Sequence, residues 1–318
     1  MKLLELVDGN FFKKHKPLTP SSISKPTFLL NYPLSLTAKD PNNELMKELT
    51  PAKRKIDHKK AEDQFMKLNN FITGANGVVY LLPSYSNFQD QVYVSNLGTY
   101  LPHIKDRDVI ILSKFRTPPR RGEEVVGEKF FSMAGYETHK APFFQEGQAE
   151  LKFIKDRLYV GGYGQRSDKR AYSWMTEKFD MTVILVETKD PKMYHLDCQL
   201  LRLTPEKILC PKKALSEQEI KNLEKHVDII NIPIELAITG SFNGVSIGQH
   251  MMYKDPDKYV EPGKKEQNKA LIKRIHTFHE NLEKETGIEP VFFDLTEFEK
   301  SGADLGCLIM HLNFVGWE

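Results

Sequence analysis

The chain has 318 residues, 40% of them hydrophobic, which is enough for one large core or two small ones. Its 45 basic and 43 acidic side chains leave a formal charge of +2 without a basic run, which argues against a nucleic-acid partner. No stretch approaches the roughly 18 apolar residues of a membrane span, the opening MKLLELVDGNFFKKHKP has no long apolar signal core, and three cysteines (Cys198, Cys210, Cys307) suit a reducing, cytoplasmic setting better than a disulfide framework.

Residues 1–25 read as a loosely structured lead-in, and residues 26–318 as one domain. The segment 51–72 predicts a helix from its initial proline and its apolar spacing. GVVYLLP, QVYVSNLG and DVIILSKF predict strands, and RRGEEVVGEKFFSMAG a helix that stops at Gly135. AELKFIKDRLYVGGYG reads as a hairpin turning at Lys155-Asp156-Arg157. SDKRAYSWMTEKF follows as a helix with Ser167 as its N-cap. MTVILVET is a strand, and YHLDCQLLRLTPEKILCP a second hairpin that turns near Pro205. SEQEIKNLEKH carries a Ser-x-x-Glu capping box. VDIINIP and FNGVSIG are strands, and the longest helix, KKEQNKALIKRIHTFHENLEKETG, closes at Gly287. EPVFFDL and CLIMHLNF are the last strands. Hairpin, helix and strand recur about every 50–70 residues with no linker between units, so a circular array of similar α/β units is one solution and an ordinary mixed α/β domain is the other.

Three stretches place polar groups where strands end. In FFQEGQAELKF, Glu146 and Glu150 bracket a glycine-containing entry; solvated turn acids are the plain alternative. In MYHLDCQL, His195 and Asp197 alternate along an apolar strand and so share a face, where burial of both is costly without partners. Cys198 beside them raises a zinc reading, but it falls on the opposite face and no C-x-x-C or H-x-x-x-H accompanies it. In SGADLGCLIM, Cys307 begins a strand after Gly302 and Gly306, which favour close backbone approach. A nucleophilic cysteine needs its thiolate, a histidine to move the proton, and an acid to fix the imidazole tautomer. Cys307, His195 and Glu146 supply those three types; an inert buried thiol is the alternative for Cys307, as for Cys210.

Taken in order, FFQEGQAELKF, YGQRSDKRAY, YHLD, FNGVSIG and GADLGC resemble the motif blocks of the guanidino-group modifying enzymes, the pentein superfamily of arginine deiminase, dimethylarginine dimethylaminohydrolase and glycine amidinotransferase. The resemblance runs from about residue 75 to the C-terminus. It implies a five-bladed α/β propeller of ββαβ-type units with its site at the centre. It further implies Cys307 as nucleophile, His195 as general acid and base, and Glu146 as the residue that orients His195 or holds guanidinium nitrogens. Asp90 and Asp197 would accept hydrogen bonds from the substrate guanidinium, with Glu150 beside them. Asn31 would stand at the substrate mouth. Arg166 and Arg121 (or its neighbour Arg120) are the candidates for a substrate carboxylate. The sequence departs from the family pattern at Glu150, one methylene longer than the usual Asp, at Gln148 and Ala149 in place of small residues, and at VSN after Asp90.

The expected activity is hydrolysis of the guanidino group of arginine or an N-substituted arginine through a thiouronium intermediate, with no cofactor and no metal. An amidinotransferase with the same residues is the second reading, and a non-catalytic binding protein on the same fold the third. The expected partner is a small guanidino substrate, with no nucleic acid and no membrane, and with room for a homo-oligomer.

Overall fold

A computed structural model describes residues 19–258 and 265–316. The lead-in expected over residues 1–25 therefore lies, as far as residue 18, outside the described residues. Strands and helices alternate in one recurring order. β1 (Thr27–Asn31) leads through α1 (His58–Gly74) to β2 (Val78–Leu82). β3 (Gly98–Tyr100) and β4 (Val109–Leu112) lead through α2 (Glu123–Met133) to β5 (Glu137–Lys140). β6 (Leu151–Lys155) and β7 (Leu158–Gly164) lead through α3 (Lys169–Phe179) to β8 (Thr182–Thr188). β9 (Leu201–Arg202) and β10 (Lys207–Cys210) lead through α4 (Glu217–Glu224) to β11 (Asp228–Asn231). β12 (Val245–Ile247) and β13 (His250–Lys254) lead through α5 (Lys265–Thr286) to β14 (Glu289–Phe293), and β15 (Met310–His311) is last.

These strands make five three-stranded sheets. In four of them an antiparallel hairpin is followed by a helical crossover to a parallel third strand, as in β6-β7-β8. The remaining sheet has the same pattern but draws its first strand from the far end of the chain: β15 pairs antiparallel with β1, which pairs parallel with β2. A parallel pair needs a crossover of a dozen or more residues, so one helix per unit is the minimum solution. This is the pentein architecture of ββαβ units that the resemblance implies.

Each helix lays an apolar stripe on its sheet. α1 buries Ala61, Phe65, Leu68 and Ile72, residues spaced three and four apart. The Ser216–Glu219 capping box forms as read, with Ser216 Oγ accepting from the Glu219 N–H and the Glu219 carboxylate accepting from the Ser216 N–H. Two helix starts differ from expectation. α1 begins at His58, where the Asp57 carboxylate accepts from the Lys60 N–H, so the proline at 51 precedes the helix rather than opening it. α3 is capped by Asp168, not Ser167; the Ser167 hydroxyl instead accepts from the Glu146 N–H at 3.3 Å.

Three expected strands are tight turns of 3-10 helix instead. Val94–Asn96, Leu196–Cys198 and Leu305–Leu308 occupy the centre of the molecule, where the sheets converge. All three lie in largely buried stretches, Val94–Asn96 and Leu305–Leu308 entirely so, and burial on more than one side erases the period that separates a strand from a turn. As a consequence His195 is the extended residue that enters a turn, Asp197 lies within it, and Cys307 sits inside the last one rather than at the head of a strand.

Gly147 shows how tightly this centre is packed. Its φ is +61°, and a Cβ there would stand 2.5 Å from the Ser95 carbonyl oxygen. Gly147→Ala is expected to cost about 1–3 kcal/mol in urea unfolding, from left-handed strain plus a backbone clash, and to lower activity because Glu146 is the preceding residue. Unchanged stability would mean that the two segments separate freely.

Candidate active site

The three central turns and the loops beside them enclose a pocket lined by Asp90, Asn96, Arg120, Arg166, His195 and Cys307, with Tyr93 and Tyr194 as aromatic walls. The segment 42–43 covers it: Asn42 Nδ2 donates to Asp90 Oδ2 at 2.6 Å, and Asn43 donates to the Ser301 carbonyl at 3.0 Å.

Glu146 lies behind His195. Its Oε2 accepts from His195 Nε2 at 2.7 Å and from the Arg166 guanidinium at 3.1 Å, while Oε1 accepts from the Arg116 N–H at 3.2 Å. Burial alone would raise its pKa, but Arg166 and the imidazole outweigh it and hold the carboxyl down at about 2. Burial lowers the His195 pKa, against the pull of Glu146, so the ring rests neutral. The Glu146 bond fixes its orientation. Arg166 also donates to the Asn42 carbonyl at 2.8 Å and lies 4.6 Å over the Tyr194 ring. One arginine thus ties the covering segment to the acid behind His195.

Cys307 is buried, and burial, followed by the charges of Asp197 and Asp304, pushes its thiol well above the ordinary range. The thiol donates to Asp197 Oδ2 at 4.0 Å, and Cys198 donates to the other oxygen of the same carboxylate at 3.5 Å. Cys198, which raised the zinc reading, is therefore a thiol donor to Asp197. At rest Cys307 is protonated, and a cation delivered beside it would compensate both the nascent thiolate and Asp197.

Asp90, in the pocket wall, has an oxygen left open for such a cation. Its Oδ2 accepts from Asn42 and from Gln89, whereas Oδ1 is buried with no partner among the described residues. Burial raises its pKa, and the nearby Arg120 and Arg166 oppose that rise. A buried acceptor left open is costly, and a planar donor in the pocket relieves it.

The sequence-based candidates fall into two groups. Cys307, His195, Asp90 and Arg166 line the pocket, with Glu146 and Asp197 directly behind His195 and Cys307. Three others stand elsewhere. Arg121 is exposed and donates to the Arg116 carbonyl; its neighbour Arg120 lines the pocket, bound at both carboxylate oxygens of Glu123. Asn31 lies in β1, where its amide donates to the Leu82 carbonyl and accepts from Ser84, so it braces a sheet end and does not line this pocket. Glu150 is buried behind the His195 turn, where Oε2 accepts from the Leu196 N–H at 3.2 Å. Burial, with Glu146 and Asp197 nearby, pushes its carboxyl well up. Sequence reasoning missed Asn42, Asn43, Asn96 and the two tyrosine walls. The Pro-Asn-Asn ahead of the short helix Glu44–Glu48, which Asn43 caps, was the available signal for the covering segment.

Comparison with known proteins gives the family. A family model described as N,N dimethylarginine dimethylhydrolase, eukaryotic, matches residues 33–314. The N(G),N(G)-dimethylarginine dimethylaminohydrolase of Mycobacterium tuberculosis is 27% identical over 259 residues, 81% of this chain and 78% of its own length. Among solved structures, the product-bound N-terminal domain of ArgZ, an arginine dihydrolase of the cyanobacterial ornithine-ammonia cycle, superposes with a TM-score of 0.76 at 21% identity, covering 91% of this chain and 98% of that one. A dimethylarginine dimethylaminohydrolase adduct with S-methyl-L-thiocitrulline superposes with a TM-score of 0.64 at 18% identity over 90% of this chain and 99% of that one. Fold and match together make the chain a member of the N,N dimethylarginine dimethylhydrolase family, a hydrolase of guanidino C–N bonds in arginine derivatives built on the pentein fold.

Proposed function

We propose that the chain hydrolyses the guanidino group of arginine or of an N-methylated arginine to citrulline, with Cys307 as nucleophile, His195 as proton carrier and Glu146 as its orienting acid. The observation that carries this reading is the open Asp90 Oδ1 in the same pocket wall as Cys307 and His195. A guanidinium keeps its charge at neutral pH and presents a planar fork of N–H donors, which carboxylates accept bidentately. Asp90 and Asp197, one on the pocket wall and one beside the thiol, are the acceptors for that fork.

The substrate cation favours ionisation of the Cys307 thiol, whose proton passes to the neutral imidazole of His195. Because Nε2 is held by Glu146, this exchange falls to Nδ1. The thiolate sulfur attacks the central guanidino carbon to give a tetrahedral adduct. The C–N bond to the terminal nitrogen breaks, and His195 returns the proton to the departing amine. A positively charged S-alkylthiouronium remains. Water then adds to its carbon as His195 takes a proton, and the C–S bond breaks to give citrulline and the free thiol. A positioned imidazole contributes about 10²–10⁴ in rate to such steps. Asp197 keeps the thiol protonated between turnovers, which protects it from adventitious electrophiles.

The test is incubation with arginine, monomethylarginine, asymmetric dimethylarginine and agmatine, with products identified by mass spectrometry. Citrulline with ammonia names arginine as substrate, and citrulline with methylamine or dimethylamine names the methylated forms. Folded protein that turns over none of the four sinks the proposal.

A further inference from the structure

The segment that carries Cys307 is held by a different sheet from the one it enters. It leaves the short helix Thr296–Glu299, turns through Leu305–Leu308 and only then pairs as β15. Two side chains from the sheet β12-β13-β14 reach into it. Lys254, the last residue of β13, places its ammonium 2.9 Å from Asp304 Oδ1 and 2.6 Å from Glu299 Oε1. Asn243, just ahead of β12, accepts from the Gly306 N–H on Oδ1 at 2.8 Å. The contacts to Asp304 and Gly306 fall within the three residues that precede Cys307.

The backbone is shaped around these contacts. The Asp304 carbonyl accepts from the Cys307 N–H at 3.2 Å, so movement of Asp304 is passed directly to the cysteine. A Cβ on Gly240 would stand 2.3 Å from Asp304 Oδ1, and a Cβ on Gly306 would stand 2.1 Å from Asn243 Oδ1. Only glycine at those two places lets the carboxylate and the amide seat. Lys254 is buried, with 7% of its side chain exposed, and it does not line the pocket. A lysine in such a place is costly, and an apolar side chain of similar volume would serve packing at least as well. What the lysine supplies is a fixed point for Asp304.

We propose that Lys254 and Asn243 are positioning residues for the reaction, clamping the Asp304–Gly306 turn so that Cys307 stands where it attacks the guanidino carbon. The inference rests on Cys307 being the nucleophile. A small displacement of a reacting atom costs up to about 10²-fold in rate, whereas the substrate contact made by Asp90 stays in place. The signature is therefore a loss in kcat with KM preserved.

The experiment compares Lys254→Met, Asn243→Ala and the triple variant Lys254→Met, Glu299→Gln, Asp304→Asn in steady-state kinetics and thermal unfolding, with Cys307→Ser alongside. Lys254→Met strands two half-buried carboxylates and unfolds at lower temperature; the triple variant removes the charges together and regains Tm. The expected result is a kcat lowered about 10- to 100-fold in both the triple variant and Asn243→Ala, with KM within about twofold of wild type. Wild-type kcat in either of these, or a change in KM alone, overturns the inference. If Lys254→Met does not fold, the triple variant and Asn243→Ala still decide it. Turnover that survives in Cys307→Ser is a failure of the nucleophile reading instead, and is told apart by that lane.

Discussion

Cys307→Ser protein is expected to fold and bind guanidino substrates, and to turn them over on the order of 10⁴–10⁶-fold more slowly than wild type. A hydroxyl keeps the size of the thiol, so Asp197 keeps its donor and the pocket its shape. It lacks the polarisable, ionisable sulfur on which the first bond depends. Intact-mass measurement during turnover should show an adduct on the wild-type chain and none on the variant. Iodoacetamide labelling gives a second reading. Because burial, Asp197 and Asp304 hold the free thiol well above its ordinary range, the labelling rate of Cys307 in the substrate-free protein should keep rising through alkaline pH. A plateau below pH about 8 would contradict a resting thiol, whose unperturbed pKa is about 8.5.

The second large effect belongs to Glu146→Gln, which is expected to damage catalysis and stability together. The amide no longer fixes the His195 tautomer, a defect worth about 10⁴-fold in comparable acid–imidazole–nucleophile sets. It also strips the buried Arg166 of its counter-ion, since the carboxylate accepts from both groups at 2.7 and 3.1 Å. Removing one partner of a buried pair costs about 3–5 kcal/mol. The pH dependence has a definite sign. The Glu146 carboxyl is depressed to about 2 in the folded chain, against about 4.3 unfolded. Its contribution is thus complete above about pH 4.3 and lost as pH falls through about 2. Urea unfolding of wild type and variant should differ most near neutrality and converge in acid. Equal stability at pH 7 would show that Arg166 finds another acceptor when Glu146 is neutral. Restored activity on adding imidazole would not be expected, because the ring is present and only its orientation is lost.

The sequence carried the repeating hairpin-helix-strand order because each unit is local: β6 and β7 turn at Asp156, α4 has its capping box, and Gly135 follows the end of α2. It carried the site's residue types for the same reason that it misplaced their backbone. His195, Asp197 and Cys307 sit on apolar runs that look like strands, yet the ladder partners a strand would need are replaced by side chains from distant segments. Glu150 takes the Leu196 N–H and Asn243 takes the Gly306 N–H. No local pattern reports an acceptor that arrives from 46 or 63 positions away. Glu150, read as a substrate acid, gives one oxygen to the Leu196 N–H, a contact that no local pattern separates from one to a ligand. Arg121 and Arg120 are adjacent and chemically identical, and only the buried Glu123 decides which one turns inward. Pro-Asn-Asn at 41–43 signals a helix start but not a place over the site, because the contacts of Asn42 and Asn43 there are with Arg166 and Ser301, far along the chain.

The sheet that joins the two ends of the described chain has a consequence for synthesis. The Thr27 N–H donates to Asn313 Oδ1, 286 positions later, and β15 follows Cys307 by three residues. A nascent chain holds Asp90, Glu146, Arg166 and His195 long before the ribosome has released the thiol. Contacts of such span close slowly, because their loop entropy is met before they return anything. With Cys307 in its proposed role, chemistry therefore waits until β15 has been made and has docked on β1. A partial product, however well the four sheets from β3 to β14 fold, carries the proposed guanidinium acceptor Asp90 without the proposed nucleophile.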